Sequence, residues 1–224
     1  MKSETAPRPT RVAIVDDHTL MREGLRLYFE KCTDLVCTWL AATASEAVKK
    51  TADDPPDVLI LDLSLPDRSG LDLIKDLRLL RPRMAILILS LHDEKLYAPR
   101  ALRAGARGYL MKTASQKTLE NAVKRVAAGG IAVSEDMSEE ILKAFSSGVQ
   151  ASESKGSLET LSDREFEVFS LIGQGKSSSQ ISDSFRISTK TVDVHKLNIR
   201  AKLGMRDPGE LVFFAIRWSG ERQN

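Results

Sequence analysis

The chain has 224 residues, and Lys+Arg 33 against Asp+Glu 31 leaves a formal charge of only +2. That length is one large or two modest domains, and so even a charge excludes a globally basic nucleic-acid binder: any basic surface must be local. Hydrophobic content of 42% beside 29% charged residues excludes whole-chain disorder. The polar start, MKSETAPRPT, carries no apolar signal segment. Apolar runs such as Met84–Leu89 fall far short of the roughly 18 residues a membrane helix needs. The expectation is a cytoplasmic protein with no membrane partner. Cys32 and Cys37 fit neither a metal-ligand spacing nor a disulfide framework and read as small hydrophobes.

In chain order, Arg11–Val15 is a short β-rich run ending on Asp16 and Asp17, and Thr19–Lys31 is helical, with Leu20, Leu25, Leu27, Tyr28 and Phe29 near helical spacing. Leu35–Leu40 reads as a strand and Ser45–Thr51 as a helix. Val58–Leu61 is a strand apolar on both faces, and Gly70–Leu80 is a helix stopped by Pro82. Met84–Leu89 is another fully apolar strand, followed by a helix over Glu94–Ala104, a strand over Arg107–Met111, and a helix over Gln116–Ala128 that ends at Gly129 and Gly130. Strands alternating with helices, with fully apolar strands, predict a doubly wound (βα)5 parallel sheet covered on both faces over residues 10–130. Ligands of such sheets sit outside the carboxyl ends of the strands, which places Asp16, Asp17, Asp62, Ser90 and Lys112 on one rim. Pro99 is out of place in a helix interior, so its helix either starts near Ala98 or is kinked.

Residues 131–157 read as a linker with a short helix at Ser138–Phe145, rich in Ser, Gly and charge toward its end. Beyond it, over 158–224, only helical segments follow. Ser162 and Glu165 form a capping box opening the first, Ser178–Phe185 is a short helix, Ser188–Leu203 a long one ending at Gly204, and Pro208 starts the last. This predicts a four-helix, all-α second domain.

Three carboxylates at short range repel, and a hard divalent cation with oxygen ligands relieves them, which points to Mg²⁺ at Asp16, Asp17 and Asp62. A carboxylate beside Mg²⁺ can attack a phosphoryl donor to give an acyl phosphate, with Ser90 and Lys112 placed to hold the phosphoryl oxygens. His18 reads as a loop residue near this site. The segments VDDH (15–18), PDVLILDLSLPDRSG (56–70), ILSLHDE (88–94) and ALRAGARGYLMK (101–112) resemble a response-regulator receiver domain. The resemblance implies that Asp62 accepts a phosphoryl group from a sensor histidine kinase. It further implies that Asp17 and Asp62 bind Mg²⁺ directly and Asp16 mainly through water, and that Tyr109 is a switch aromatic following Ser90.

In the second domain, the short helix, tight turn at Phe185–Ile187 and longer helix form a helix-turn-helix pattern. Val192, His195 or Lys196, Ile199 and Leu203 make its inward stripe, while Lys190, Thr191, Val194, Asn198 and Lys202 face outward. Asn198 and Lys190 are placed to contact bases, Thr191 and Lys202 phosphates. LSDREFEVFSLIGQGKSSSQIS (161–182) and ISTKTVDVHKLNIRAKLG (187–204) resemble a LuxR-type DNA-binding domain. Gln180 stands where that family commonly has Glu, and Phe166 and Phe169 are unusual there. The apolar last helix, with Phe213, Phe214, Ile216 and Trp218, either caps the domain or, as the resemblance implies, mediates dimerisation. Together the two resemblances imply a NarL/FixJ-type response regulator, a transcription factor binding double-stranded DNA half-sites as a phosphorylated homodimer, not an enzyme. An aspartate-nucleophile phosphohydrolase would need a second acid where Ser64 stands. A third reading leaves the receiver idle and binds DNA or protein without phosphorylation.

Overall fold

The computed structural model describes residues 8–146, 158–185 and 187–220, and the chain divides into two units between residues 146 and 147. In the first, β1 (Thr10–Val15), β2 (Leu35–Ala41), β3 (Val58–Leu61), β4 (Ala85–Ser90) and β5 (Gly108–Met111) form one parallel sheet in the order β2-β1-β3-β4-β5. Every residue of β3 and β4 is buried, as strands covered on both faces must be. Helix α1 (Thr19–Phe29) and α5 (Gln116–Ala127) cover one face, burying Leu25, Phe29, Leu119, Val123 and Val126 against Val12, Ile14, Ile60 and Leu87. Helices α2 (Ala44–Asp53), α3 (Gly70–Leu80) and α4 (Glu94–Ala104) pack in that succession, α2 on β2 and α4 on β5.

The predicted elements are all present, with ends shifted by up to two residues, except that the helix expected from Ser138 starts three residues earlier, at Glu135. Two apolar residues are misassigned by periodicity alone: Leu20 is 88% and Leu27 51% exposed on α1. Cys37 packs against the core, and burial lifts its thiol to about 11, as expected of an inert hydrophobe. Pro99 does not delay α4, which starts at Glu94 and runs through the proline. Pro99 has no N–H for the Lys95 carbonyl four residues back, and the helix continues because its buried face, Tyr97, Ala98 and Ala101, is held against the sheet.

The expected linker is structured over its first half. Ala132 forms a bridge with Gly108: its N–H donates to the Arg107 carbonyl at 3.0 Å and its carbonyl accepts from the Tyr109 N–H at 2.8 Å. This close approach needs the glycine, because a Cβ at Gly108 would lie 2.6 Å from the Ala132 oxygen. The Ser134 N–H donates to Glu94 Oε1 at 2.9 Å and the Ser134 hydroxyl accepts from Met137, opening α6 (Glu135–Ser146). The Ser- and Gly-rich stretch expected at 147–157 lies outside the described residues.

The second unit holds a 3-10 turn (Leu158–Thr160), α7 (Asp163–Gly173), α8 (Ser178–Phe185), α9 (Thr189–Leu203) and α10 (Pro208–Gly220). The Ser162–Glu165 capping box is present in both directions. Gln180 does the work expected of Glu: its Oε1 accepts from the Ser177 N–H at 2.9 Å while Ser177 Oγ accepts from the Gln180 N–H at 3.2 Å, a second capping box. Phe166 and Phe169 are core residues whose rings lie 5.9 and 5.2 Å from Trp218, and Phe169 also meets Phe214 at 5.7 Å. Leu211, Phe214, Ala215 and Trp218 of α10 are therefore spent inside the unit. Phe213, 70% exposed, and Ile216, 49% exposed, are not.

Candidate functional site

The strand order turns at β1 and β3, the crevice where open parallel sheets bind their ligands. Asp16 follows β1 and its N–H still pairs with the Ala41 carbonyl, while the Asp62 N–H pairs with the Val15 carbonyl at 2.8 Å. The ladder thus sets the two aspartates side by side. Lys112 follows β5, its N–H donating to the Ser90 carbonyl at 2.7 Å. Its ammonium reaches back across the sheet to both acids, with Nζ 2.7 Å from Asp16 Oδ2 and 2.7 Å from Asp62 Oδ2. Asp16 and Asp62 are each 2% exposed, and Asp17 stands at the mouth.

Burial pushes the Asp62 carboxyl up from its ordinary value, against the pull of Lys112, and the Asp16 charge pushes it further. Burial also opposes the Lys112 charge, yet Asp62 and Asp16 hold it, and its pKa ends above the usual lysine value. One cation between two buried carboxylates, with a third acid outside, leaves excess negative charge that an oxygen-seeking divalent cation suits. Asp16, Asp17, His18 and Asp62 each offer a ligand atom, all within 4.8 Å of one another.

His18, its side chain 58% exposed, reaches this cluster from the loop before α1. Its Nδ1 lies 2.9 Å from Asp17 Oδ1 and 3.1 Å from Asp16 Oδ1, and its N–H donates to Asp16 Oδ1 at 2.8 Å. Ser90 is fully buried and its hydroxyl accepts from the His92 N–H at 3.2 Å. The Tyr109 ring is likewise fully buried, its hydroxyl donating to the His92 carbonyl at 2.8 Å. Burial raises that phenol, against the influence of Ser90. The structure therefore brings Asp16, Asp17, Asp62 and Lys112 together and links Ser90 to Tyr109 through His92. No local pattern in the sequence marks His92 for this place.

On α9, the side chain of Ser188 caps the first turn and Gly204, in the left-handed region at φ 72°, closes the last. Val192 and Ile199 are fully buried, with His195, Lys196 and Leu203 half-buried beside them. Burial and the Arg164 charge lower the His195 pKa, which fits its expected place in the helix packing. Lys190, Thr191, Val194, Asn198 and Lys202 are exposed on the other side. The cations divide their duties, however. Lys196 donates to Ser178 Oγ at 2.7 Å and Lys202 to Glu165 Oε2 at 2.6 Å, so both tie α9 to its neighbours.

Residues 12–124 match the family described as the response regulator receiver domain, and residues 159–215 match the bacterial regulatory proteins of the luxR family. The oxygen regulatory protein NreC of Staphylococcus carnosus is 33% identical over 210 residues, covering 92% of this chain and 97% of NreC. A LuxR-family two-component response regulator from Aurantimonas sp. SI85-9A1 shares 32% identity at a TM-score of 0.57, over 62% of this chain and 99% of that one. RcsB from Salmonella enterica serovar Typhimurium, solved bound to promoter rprA in the presence of phosphomimetic BeF3-, has a TM-score of 0.60 over 93% of this chain and 98% of that one. At 21% identity this last likeness is one of fold.

Proposed function

Because the chain belongs to the two-component response regulators that join a receiver to a LuxR-type DNA-binding domain, and so is a DNA-binding regulator and not an enzyme, we propose that Asp62 is its phosphoacceptor. The observation that carries this is Lys112 bound to both Asp62 and Asp16 at the carboxyl edge of the sheet. In this reading residues 10–130, with their packed extension, take the phosphoryl group, and residues 158–224 read DNA.

A carboxylate oxygen of Asp62 attacks the phosphorus of a kinase phosphohistidine. The N–P bond breaks and the imidazole keeps its electron pair. Asp16, Asp17 and Asp62 present the oxygens that Mg²⁺ takes, and the ion, when bound, supplies positive charge against the incoming phosphoryl oxygens. Lys112 then pairs with a phosphoryl oxygen, the Ser90 hydroxyl donates to another, and the Ser64 N–H, 3.2 Å from Asp62 Oδ1, steadies the acceptor. Drawing Ser90 toward the phosphoryl group alters the site its hydroxyl shares with His92 and Tyr109, which biases the face made by α4 and β5. A groove lined by Leu20, Met21, Gly24, Leu91 and Leu119 opens beside Lys112, an apolar seat for a helix of the sensor kinase.

On DNA, α9 enters the major groove, where Lys190 and Asn198 face bases and Thr191 faces phosphates, while Lys202, expected on a phosphate, stays with Glu165. Phe213 and Ile216, exposed on α10, pair two copies of the chain over paired half-sites. Among the described residues no helix is long and apolar enough to cross a membrane, and the chain acts in the cytoplasm with its kinase and its DNA.

The test is phosphotransfer from a small phosphodonor with Mg²⁺, weighing intact wild type and Asp62→Ala and titrating each against selected DNA. One phosphate on wild type alone, with tighter DNA binding, is expected. Equal labelling of both proteins, or none, overturns the assignment.

A further inference from the structure

His18 is the N-cap of α1, and its backbone N–H on Asp16 Oδ1 is a contact any residue there could make. The ring contacts belong to histidine. Nδ1 lies 2.9 Å from Asp17 Oδ1, 3.1 Å from Asp16 Oδ1 and 4.0 Å from Asp62 Oδ2. Lys112 reaches Asp16 through its other oxygen, Oδ2, which leaves Oδ1 on the histidine side. Those spacings are the ones an octahedral ion imposes. Ligand atoms about 2.1 Å from a six-coordinate ion stand about 3.0 Å apart along an edge of the octahedron and about 4.2 Å apart across it. Asp16 and Asp17 thus lie at edge distances from the imidazole nitrogen, and Asp62 nearly at the distance across. One ligand atom from each of the four residues falls within 4.8 Å of the others. A histidine beside aspartates commonly donates a hydrogen bond to one of them, but donation needs one short contact, not a nitrogen at ligand spacing from three carboxylates on two loops.

We infer that His18 is a nitrogen ligand that opens the acidic cluster to imidazole-seeking first-row dications, Fe²⁺ to Zn²⁺, in competition with Mg²⁺. The inference rests on this cluster holding a divalent cation, as proposed for Mg²⁺. What separates the two kinds of ion is donor type. Mg²⁺ is hard, takes oxygen and keeps several waters, so the aspartates and water satisfy it and the imidazole stands aside. Fe²⁺, Co²⁺, Ni²⁺ and Zn²⁺ bind imidazole well, so the same residues offer them one protein ligand more. In that state Nδ1 gives its lone pair to the ion and Nε2 carries the ring proton. The carboxylates serve either kind of ion, and His18 alone of the four residues tells them apart. A late first-row ion therefore displaces Mg²⁺ from this edge of the sheet at concentrations well below that of Mg²⁺, and the phosphoacceptor shares its site with a second input, the supply of such ions.

The tag-free full chain is titrated with Mg²⁺, Co²⁺ and Zn²⁺ by calorimetry, and its Co²⁺ form is followed by proton NMR, where a coordinated imidazole shows an exchangeable N–H resonance far downfield. His18→Asn keeps a polar group of similar reach and removes the imidazole, His18→Ala removes both, and Asp17→Asn removes an acidic ligand. Both His18 variants weaken Co²⁺ and Zn²⁺ at least about tenfold, no less than the loss of an outer-shell partner costs a metal site, while Mg²⁺ affinity stays within about threefold. The shifted resonance is present in wild type and lost from both. Equal weakening of Mg²⁺ and Co²⁺, or no weakening of either, overturns the inference, because His18 then only donates a hydrogen bond or only packs. A shifted resonance that survives His18→Ala overturns it too, since it belongs to His92 or His195, the other two histidines. In each of these cases weaker binding of all three ions by Asp17→Asn leaves the cation site of the proposed function standing. A wild-type chain that binds neither Mg²⁺ nor Co²⁺ overturns both.

Discussion

Replacing Lys112 by Met isolates the electrostatics of the rim. The lysine side chain is 4% exposed and its ammonium touches Asp16 and Asp62, whose side chains are 3% and 2% exposed. Methionine fills much the same volume, so the change removes the charge and leaves two buried carboxylates facing each other. Deleting one partner of a buried ion pair costs about 3–5 kcal/mol. The lower end applies here, about 3 kcal/mol in chelator at pH 7.5, because Asp62 can shed its charge by taking a proton. The pH dependence has a definite sign. Burial already raises the folded Asp62 pKa, and loss of the cation raises it further. A carboxyl whose folded pKa lies above its unfolded value destabilises increasingly as pH climbs from the unfolded value to the folded one. The deficit of K112M must therefore be smaller at pH 5 than at pH 7.5. Mg²⁺, by binding the folded state, must restore more stability to the variant than it adds to wild type. Hydrogen exchange across a urea series, read on peptides of β1, β3 and β5, measures this without interference from the second unit. A deficit below about 1 kcal/mol, the same at both pH values and indifferent to Mg²⁺, would refute the charge argument, since it falls short of what a broken buried pair costs.

Three further outcomes follow from the same geometry. A Cβ at Gly70 would lie 2.6 Å from the Leu63 Cα and 2.9 Å from the Asp62 carbonyl, so Gly70→Ala displaces the acceptor loop and slows labelling from a small phosphodonor by about tenfold, one and a half kcal/mol of misplacement; an unchanged rate counts against that contact. In the second unit, burial opposes the Glu165 charge, but Lys202 and the Ser162 N–H hold its carboxyl below the ordinary range. Its stabilising share is present above the unfolded pKa and is lost as pH falls through the folded one. Glu165→Gln therefore lowers the melting temperature of this unit at pH 7 and flattens its acid limb, and parallel acid limbs would dismiss the pair. Lys190→Ala, on the exposed face of α9, weakens DNA binding; loss of sequence preference marks a base contact, whereas uniform weakening with a salt slope shallower by about one marks a phosphate contact.

The parts of this molecule that were legible beforehand are those written in local pattern. Val58–Leu61 and Gly70–Leu80 were placed to the residue because apolar runs, Pro82 and the glycine start punctuate them. The rim was legible because a parallel sheet sends its strand ends to one edge, whatever the pairing distances. Partition of apolar residues was less readable. Leu20 and Leu27 share the helical spacing of Leu25 and Phe29, yet only the latter two meet the core, since the rotation of α1 is set by the sheet. The same holds for α10, where adjacent Phe213 and Phe214 part company, outside and inside. Pairs distant in sequence carried no signal at all. Lys202 reads as a phosphate contact by its place on the outward face of α9, and nothing local points to Glu165, 37 residues earlier, as its partner.

The exit from the first unit is packed where its sequence reads as linker. After Gly129 and Gly130 the sequence loses periodicity, and a segment without periodicity reads as linker. Yet Ala132 is held by backbone bonds, which need no pattern in its side chains. What they need is room on the partner, supplied by the missing side chain at Gly108. This places the start of the outgoing chain in contact with Tyr109 and Glu94, on the face that the proposed acceptor would bias. Tyr109 gives its hydroxyl to the His92 carbonyl and its N–H to the Ala132 carbonyl. Glu94, in the first turn of α4, receives the N–H of Ser134. A displacement of that turn draws Glu94 away and strips Ser134 of its acceptor, while a displacement of Tyr109 strains a buried backbone bond to Ala132. Buried backbone groups tolerate no such loss without a compensating partner. On the proposed assignment of Asp62, the outgoing segment then moves with the face made by α4 and β5 or detaches from it, and in either case the route from Asp62 to the exit is short and hydrogen-bonded.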